Sequence, residues 1–340
     1  MNNYSFYLSL GKNKHKLRTY KQTKGRTMSK YKIFVDGAVG TTGLRIFDRL
    51  ADAEDIELLT LPEAQRKDLN ARVAKVAEAD LTFLCLPDEA SKELVAHAPS
   101  HAKICDTSTA HRVNPDWVYG FAELSGQAEK IKNAHRVAVP GCHATGYIAL
   151  VRPLVEKGIL SADYPLSCHS LTGYSGGGKS MIAEYEDEQR AEKYTAPRVY
   201  GLALKHKHLP EMQALTGTKQ PPIFTPVVAD YYSGMLVTVP LPMSALQAVK
   251  SGEDIANYFT EYYQGSKLIQ VHPFATLPED GMLAANQLTG KDNLEIFVYG
   301  NETQVLLAAR FDNLGKGASG AAVQCMNIML GREETAGLAL

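Results

Sequence analysis

No run of apolar residues approaches the roughly 18–20 needed to cross a bilayer, and the 5 cysteines contain no Cys-x-x-Cys spacing. The first absence argues against a membrane-spanning helix. The second, with an odd count, argues against a secreted disulfide scaffold or a zinc ribbon, so no metal is expected and a reducing, cytoplasmic compartment is. Net charge is also small: 36 Lys+Arg and 37 Asp+Glu leave −1 over 340 residues. Residues 1–30 lack acidic side chains altogether and carry eight basic ones. The other 28 Lys+Arg therefore face 37 Asp+Glu, a net −9 over residues 31–340, which gives no footprint for nucleic acid. With 45% hydrophobic and 21% charged residues, the chain reads as an ordinary globular protein with length enough for two domains.

The basic segment is Lys-rich and contains only Ser5, Ser9 and Ser29 as serines, whereas a transit peptide is Arg-rich and Ser-rich. Its apolar part, Asn2–Leu10, precedes the basic residues, the reverse of a signal peptide's order. Residues 1–27 are therefore expected to be a disordered, dispensable extension. Met28 is expected to be the natural start, so a chain beginning there should keep its solubility and activity.

Tyr31–Asp36 reads as an apolar strand that enters Gly37-Ala-Val-Gly40-Thr41-Thr42-Gly43 and then an amphipathic helix through Leu44, Ile46, Phe47 and Leu50. Strand, glycine-rich turn and helix form the setting in which a dinucleotide pyrophosphate meets a helix N-terminus. The spacing G-x-x-G-x-x-G departs from the standard fingerprint. The next strand, Ile56–Leu61, contains Thr60 and is followed by Arg66 instead of ending in the acidic residue of an NAD site. Hydroxyl and basic groups suit a 2′-phosphate, so Gly37, Gly40, Thr41, Thr42, Gly43, Thr60 and Arg66 point to NADP(H), although Glu63 is nearby. Further alternation follows, with strands at Leu81–Leu86 and Lys103–Thr107 around a helix at Ala90–Ala98, as in a parallel doubly wound sheet.

Arg136–Pro140 reads as another strand, followed by Gly141-Cys142-His143-Ala144-Thr145 and an apolar helix. At a helix start the dipole and free amides favour thiolate, so Cys142 is expected to carry a lowered pKa and to attack an acyl carbon. Cys85, Cys105, Cys168 and Cys325 read as small buried residues.

These motifs, with Asp106-Thr-Ser-Thr-Ala-His-Arg112, Lys205-His-Lys-His-Leu-Pro-Glu211 and Asp312-Asn-Leu-Gly-Lys-Gly-Ala-Ser-Gly320, occur in one order from about residue 32 to the C-terminus. The chain resembles the shorter bacterial type of the N-acetyl-gamma-glutamyl-phosphate reductases, in the aspartate-semialdehyde dehydrogenase superfamily. The resemblance implies that Cys142 displaces phosphate from an acyl phosphate and that hydride from NADPH converts the resulting thioester to a semialdehyde. It implies acid/base work by His206 or His208, with His206 preferred, substrate contacts from Ser108, Arg112, Glu211 and Ser175, and a nicotinamide-side contact from Asn313. From spacing alone, His206 and His208 point opposite ways if they lie on a strand. His143 departs from the family pattern, where a tyrosine is common. Within the superfamily, aspartyl phosphate and a lysine-pathway analogue are the alternative substrates.

Gly173-Tyr-Ser-Gly-Gly-Gly-Lys179-Ser180 also fits the P-loop pattern G-x-x-x-x-G-K-S, which offers an ATP- or GTP-dependent enzyme as a rival. The following residues lack the parallel pattern such a fold needs and instead carry Pro-flanked strands such as Met235–Pro240. An NADP-binding regulator without catalysis is a further alternative, disfavoured by the intact cysteine and histidine motifs. The expected fold class is α/β, with a Rossmann-like NADP-binding domain at 28–142 and 315–340 and an α/β catalytic domain of mixed or antiparallel sheet at 143–314. Family resemblance adds a homodimer or homotetramer built on the second sheet, acting on a small-molecule substrate, with no nucleic-acid or membrane partner.

Overall fold

The structure, a computed structural model, describes residues 30–38 and 40–340. The basic extension at 1–27 and the start at Met28 lie outside the described residues. Two sheets organise the chain. The first has six strands, β1 (Tyr31–Asp36), β2 (Ile56–Leu59), β3 (Leu81–Leu84), β4 (Ile104–Asp106), β5 (Val118–Tyr119) and β6 (Arg136–Ala138), in the order β2-β1-β3-β4-β6-β5. Every pairing in it is parallel. A parallel sheet needs both faces covered. Here α1 (Thr41–Ala51) and the last helix, α9 (Gly320–Leu330), contribute to an apolar cluster with Ile33, Val35 and Phe83. Helices α2 (Leu69–Glu78) and α3 (Asp88–His97) contribute to another with Phe34, Leu84 and Ile104. The short α4 (Gln127–Lys132) buries Ile131 in the first cluster.

The second sheet has seven strands, β7 (Ser167–Gly173), β8 (Arg198–Val199), β9 (Ile223–Ala229), β10 (Met235–Pro242), β11 (Ile269–Val271), β12 (Leu294–Gly300) and β13 (Gln304–Phe311), in the order β11-β12-β13-β10-β7-β9-β8. It is mixed: β12, β13, β10 and β7 run successively antiparallel, while β7 pairs with β9 and β11 with β12 in parallel. Helices α5 (Cys142–Glu156) and α8 (Gly252–Tyr262) pack on one face, with Tyr147, Ile148, Val151 and Phe259 meeting Val237, Ile296 and Leu307. Helix α6 (Gly178–Glu186) follows β7, and α7 (Leu209–Thr216) packs beside α5. Among the described residues no helix is long and apolar enough to cross a membrane.

Some elements depart from expectation. The second strand ends at Leu59, because Pro62 opens a 3-10 turn at Glu63–Gln65. The P-loop-like glycines run straight into α6, which begins at Gly178 and ends at Glu186. His206 and His208 are on no strand. Gly201 and Leu204 both take positive φ, +66° and +54°, and the chain turns directly into α7.

Candidate active site

Helix α5 starts where β6 ends, with Gly141 as its N-cap and Cys142 as its first residue. Cys142 opens into a cavity of about 350 Å³ that is also lined by Arg112, His143, Ser175, His206, Lys207, His208 and Asn313. Thr41 and Thr42 reach the same cavity from the first turn of α1. The site is therefore assembled from both sheets. Gly317 packs so closely that an added Cβ would lie 2.9 Å from the Cys142 Cβ. It belongs to a π-helical turn, Gly315–Ser319, that leads into α9.

The expected lowering of the Cys142 pKa is not found. Burial pushes the thiol up, and the opposing pull of Arg112, the His143 amide and Lys207 does not reverse it. A helix start supplies donors, but a sulfur set back in a cavity loses more by giving up water. The resting thiol keeps its proton and needs an acceptor.

Both histidines of the Lys205–Glu211 segment line this cavity, with ring centroids 4.7 Å apart; neither turns away to pack. His206 is pulled down to about 4, by burial and then by Lys207. His208 is held well below the usual imidazole range, by burial and by Arg112. Both rings are thus neutral near pH 7. The His208 amide donates to His206 Nδ1 at 3.2 Å, which leaves the proton of the neutral His206 ring on Nε2. His208 instead has a buried Nδ1 without a partner, and its Nε2 lies 4.0 Å from Glu211 Oε1. His143 bonds Ser170 Oγ at 2.7 Å and the Tyr200 hydroxyl at 2.6 Å, and burial pulls it down to about 3.

Glu211 is buried and does not line the cavity. Its carboxylate accepts from Arg112 Nη1 at 2.7 Å, the Tyr119 hydroxyl at 2.7 Å and the Gly141 amide at 3.1 Å. It thus ties together Arg112, Tyr119 and Gly141 behind the cavity wall. Ser108 lines a second cavity and donates to Asp106, the buried acceptor that also bonds Ser91 and His111. Ser175 accepts from Asn313 Nδ2 at 3.1 Å, while Asn313 Oδ1 accepts from the Gly234 amide at 2.8 Å. Tyr119, Tyr200 and Lys207 were missed from sequence. Only Lys207 carried a signal there, as the cation between the two histidines.

The second cavity is lined by Gly40, Thr41, Thr42, Gly43, Asp88 and Thr109. Gly37 takes φ +86°, and an added Cβ there would run into the Cys85 carbonyl. The α1 N-terminus has no acidic residue in its first turn, so its amides and positive dipole end face the cavity uncompensated. This fits a pyrophosphate. Thr60 and Arg66 are exposed and line neither cavity. Since Phe34 is level with Leu59, Thr60 lies next to the end of β1 where the glycine turn departs. The P-loop-like stretch closes over the Cys142 cavity through Ser175, Gly176, Gly177 and Gly178, while Lys179 is exposed and lines neither cavity. A P-loop lysine folds back onto the phosphate cradle, so this stretch is not one. Among the described residues no group of three His, Cys, Asp or Glu converges as a metal site.

Residues 32–134 match the family described as "Semialdehyde dehydrogenase, NAD binding domain", and residues 142–313 match "Semialdehyde dehydrogenase, dimerisation domain". The chain is 49% identical over 309 residues to a protein of Brucella anthropi named N-acetyl-gamma-glutamyl-phosphate reductase, covering 89% of this chain and 99% of that one. It is 49% identical to the protein of the same name from Brucella ovis, with 89% and 100% covered. Among solved structures, aspartate semialdehyde dehydrogenase II from Vibrio cholerae is similar with a TM-score of 0.66 at 16% identity, covering 89% and 99% of the two chains. The Francisella tularensis aspartate semialdehyde dehydrogenase is similar with a TM-score of 0.65 at 12% identity, covering 88% and 100%. These structures speak to the fold.

Proposed function

The chain belongs to the N-acetyl-gamma-glutamyl-phosphate reductase family, and from that premise we propose that Cys142 carries out the reductive dephosphorylation of N-acetyl-5-glutamyl phosphate to N-acetyl-L-glutamate 5-semialdehyde, in arginine biosynthesis. The observation that carries this reading is one cavity holding Cys142, two neutral histidines, Asn313 and the first turn of the glycine-loop helix. The cofactor is NADP(H).

The thiol proton passes to His208, whose Nδ1 is buried and unpartnered. The sulfur then forms a bond to the acyl carbon as the carbon–oxygen bond to phosphate breaks, giving a thioester and free phosphate. His206, with its proton held on Nε2 by the His208 amide, donates toward the acyl oxygen as charge develops on it. When bound, NADPH supplies the hydride that turns the thioester carbon into the aldehyde. The carbon–sulfur bond breaks in that collapse, and Cys142 recovers its proton. Glu211 fixes Arg112 and the Gly141 amide beneath the sulfur. Asn313 and Ser175 border the nicotinamide side of the cavity, and Thr60 and Arg66 lie where a 2′-phosphate would leave the first sheet.

We assign the NADP-binding unit to 28–142 and 315–340 and the catalytic unit to 143–314, supported by the return of α9 to the first sheet. The match to a dimerisation domain and the exposed Leu306 on the second sheet's outer face support a homodimer or homotetramer. The five free cysteines suit a reducing, cytoplasmic setting.

The test is the reverse reaction. NADP+ reduction should require both inorganic phosphate and N-acetylglutamate semialdehyde, with aspartate semialdehyde a poor replacement. Cys142→Ser should keep NADP+ binding and lose turnover by about 10³-fold or more. A variant near the wild-type rate would remove Cys142 from the mechanism, and preference for aspartate semialdehyde would reassign the substrate.

A further inference from the structure

Tyr200 has no part in the steps above, although it lines the Cys142 cavity and lies close enough to feel a charge on that sulfur. It stands just past β8, where its amide donates to the Pro226 carbonyl at 3.1 Å. A short chain of polar groups fixes its hydroxyl. His143 Nε2 meets it at 2.6 Å, and His143 Nδ1 meets Ser170 Oγ at 2.7 Å. His143 and Ser170 are both buried, and the His143 ring sits edge-on to His206 and Phe224, with centroids 5.5 and 5.2 Å away. A neutral imidazole has one N–H for its two partners. When Ser170 donates to Nδ1, the ring proton is on Nε2 and is given to the Tyr200 oxygen, so the phenol's own proton is free to point into the cavity. With the ring proton on Nδ1, Tyr200 spends its proton on His143.

We propose that Tyr200 is a second hydrogen-bond donor to the acyl oxygen, beside His206, and that His143 is the positioning residue that sets its hydroxyl there, with the ring proton on Nε2. This deepens the thioester chemistry proposed above and rests on it. The Tyr200 and His206 rings are 5.9 Å apart and line one cavity, so an oxygen on the carbon bonded to Cys142 can be met by both donors. Burial, and then a charge on the Cys142 sulfur, hold the phenol protonated, so Tyr200 donates and does not compete with His208 for the thiol proton. No atom is transferred. The phenol keeps its proton while the oxygen gains charge, first in the attack by sulfur and again in the hydride step. A donor preset in this way is worth most in a site that excludes water.

Two reagents for the same sulfur separate this role from a structural one. p-Nitrophenyl acetate acylates a thiol and develops charge on a carbonyl oxygen, whereas iodoacetamide alkylates it and does not. In Tyr200→Phe, release of p-nitrophenolate by Cys142 should slow about 10²-fold, the loss expected for one such donor, while the iodoacetamide rate stays within about twofold of wild type. Turnover of the semialdehyde should fall in kcat by about 10²- to 10³-fold, with KM for NADP+ unchanged. Equal slowing of both reagents, unslowed acylation, or no Cys142-dependent acylation in the wild type overturns the proposal, whichever aldehyde is the substrate. Failure of the semialdehyde assay alone counts against the reductase reading and not against Tyr200. His143→Phe, which keeps a ring and removes both nitrogens, should slow acylation about 5- to 10-fold, the worth of one neutral hydrogen bond. It should add nothing to Tyr200→Phe in the double variant. His143→Gln, whose amide N–H can replace Nε2–H, should recover most of the loss. Additive losses, or no recovery by glutamine, would show that His143 does not act through Tyr200.

Discussion

Around Cys142, the division of labour follows from which atoms are already bonded. Glu211 has three donors on its carboxylate, and it lies behind the cavity lining. The two histidines differ in the nitrogen left open. His206 Nδ1 is occupied by a backbone amide, and His208 Nδ1 is not. If His208 takes the thiol proton, His208→Gln should lower kcat by about 10²- to 10⁴-fold, the usual range for losing a general base. It should also slow iodoacetamide capture of Cys142 at pH 7. His206→Gln should lower kcat less and leave the alkylation rate near wild type, because its part comes after the sulfur has attacked. Slower alkylation in His206→Gln than in His208→Gln would exchange the two roles. Residue types at this site were legible from sequence, since a cysteine at a helix start and a His-x-His pair have few bland uses together. Their ionisation was not. The sequence shows Cys142 at a dipole end, but only packing shows that burial outweighs it.

Elements were legible where spacing and turn chemistry agreed, as in β1, the glycine turn and α1. The His206–His208 spacing left a strand open as one setting, yet Pro210 in the first turn of the next helix and Glu211 one place later form a helix-start signature that puts the pair just before α7. The π-helical turn Gly315–Ser319 had no legible cue. It is held by Lys316, which is buried and bonds Glu123 Oε1 at 2.6 Å and Gln324 Oε1 at 2.7 Å. Glu123 Oε2 is buried without a partner, so this pair is the attachment between the turn beside Cys142 and the segment after β5. Removing one member leaves a buried charge. Lys316→Met should therefore cost about 3–5 kcal/mol in urea unfolding. The double variant Lys316→Met, Glu123→Leu should recover a large part of that loss, since no charge is then stranded. Equal stability of the single and double variants would show that the turn is held by packing, and the ion pair would lose its assigned role.

At the scale of the whole molecule, one cavity is walled by both halves of the chain, and a single sequence could not reveal that meeting because it depends on how β6 delivers α5 onto the second sheet. Closing water out of it sets the protein's response to acid. His143 is pulled down to about 3 and His206 to about 4, and His208 is also held well below the usual imidazole range, burial being the first cause in each. An unfolded histidine titrates near 6.5. Below that value the unfolded chain binds protons that the folded chain refuses, so stability falls as pH drops from about 6.5 toward the folded values. Buried His143 alone withdraws about 2 kcal/mol between neutral pH and pH 5. Asp36 works in the opposite sense, because burial raises its carboxyl and the folded state takes up that proton first. Asp55, held low by Arg332, adds to the loss only below about pH 4. The net expectation is a Tm that already declines between pH 7 and pH 5, before ordinary carboxylates titrate. His143→Gln should flatten that slope, whatever it does to Tm at pH 7. A Tm independent of pH over this interval, or an unchanged slope in His143→Gln, would mean that the folded protein accepts protons in this chamber and that its histidines are not held neutral by burial.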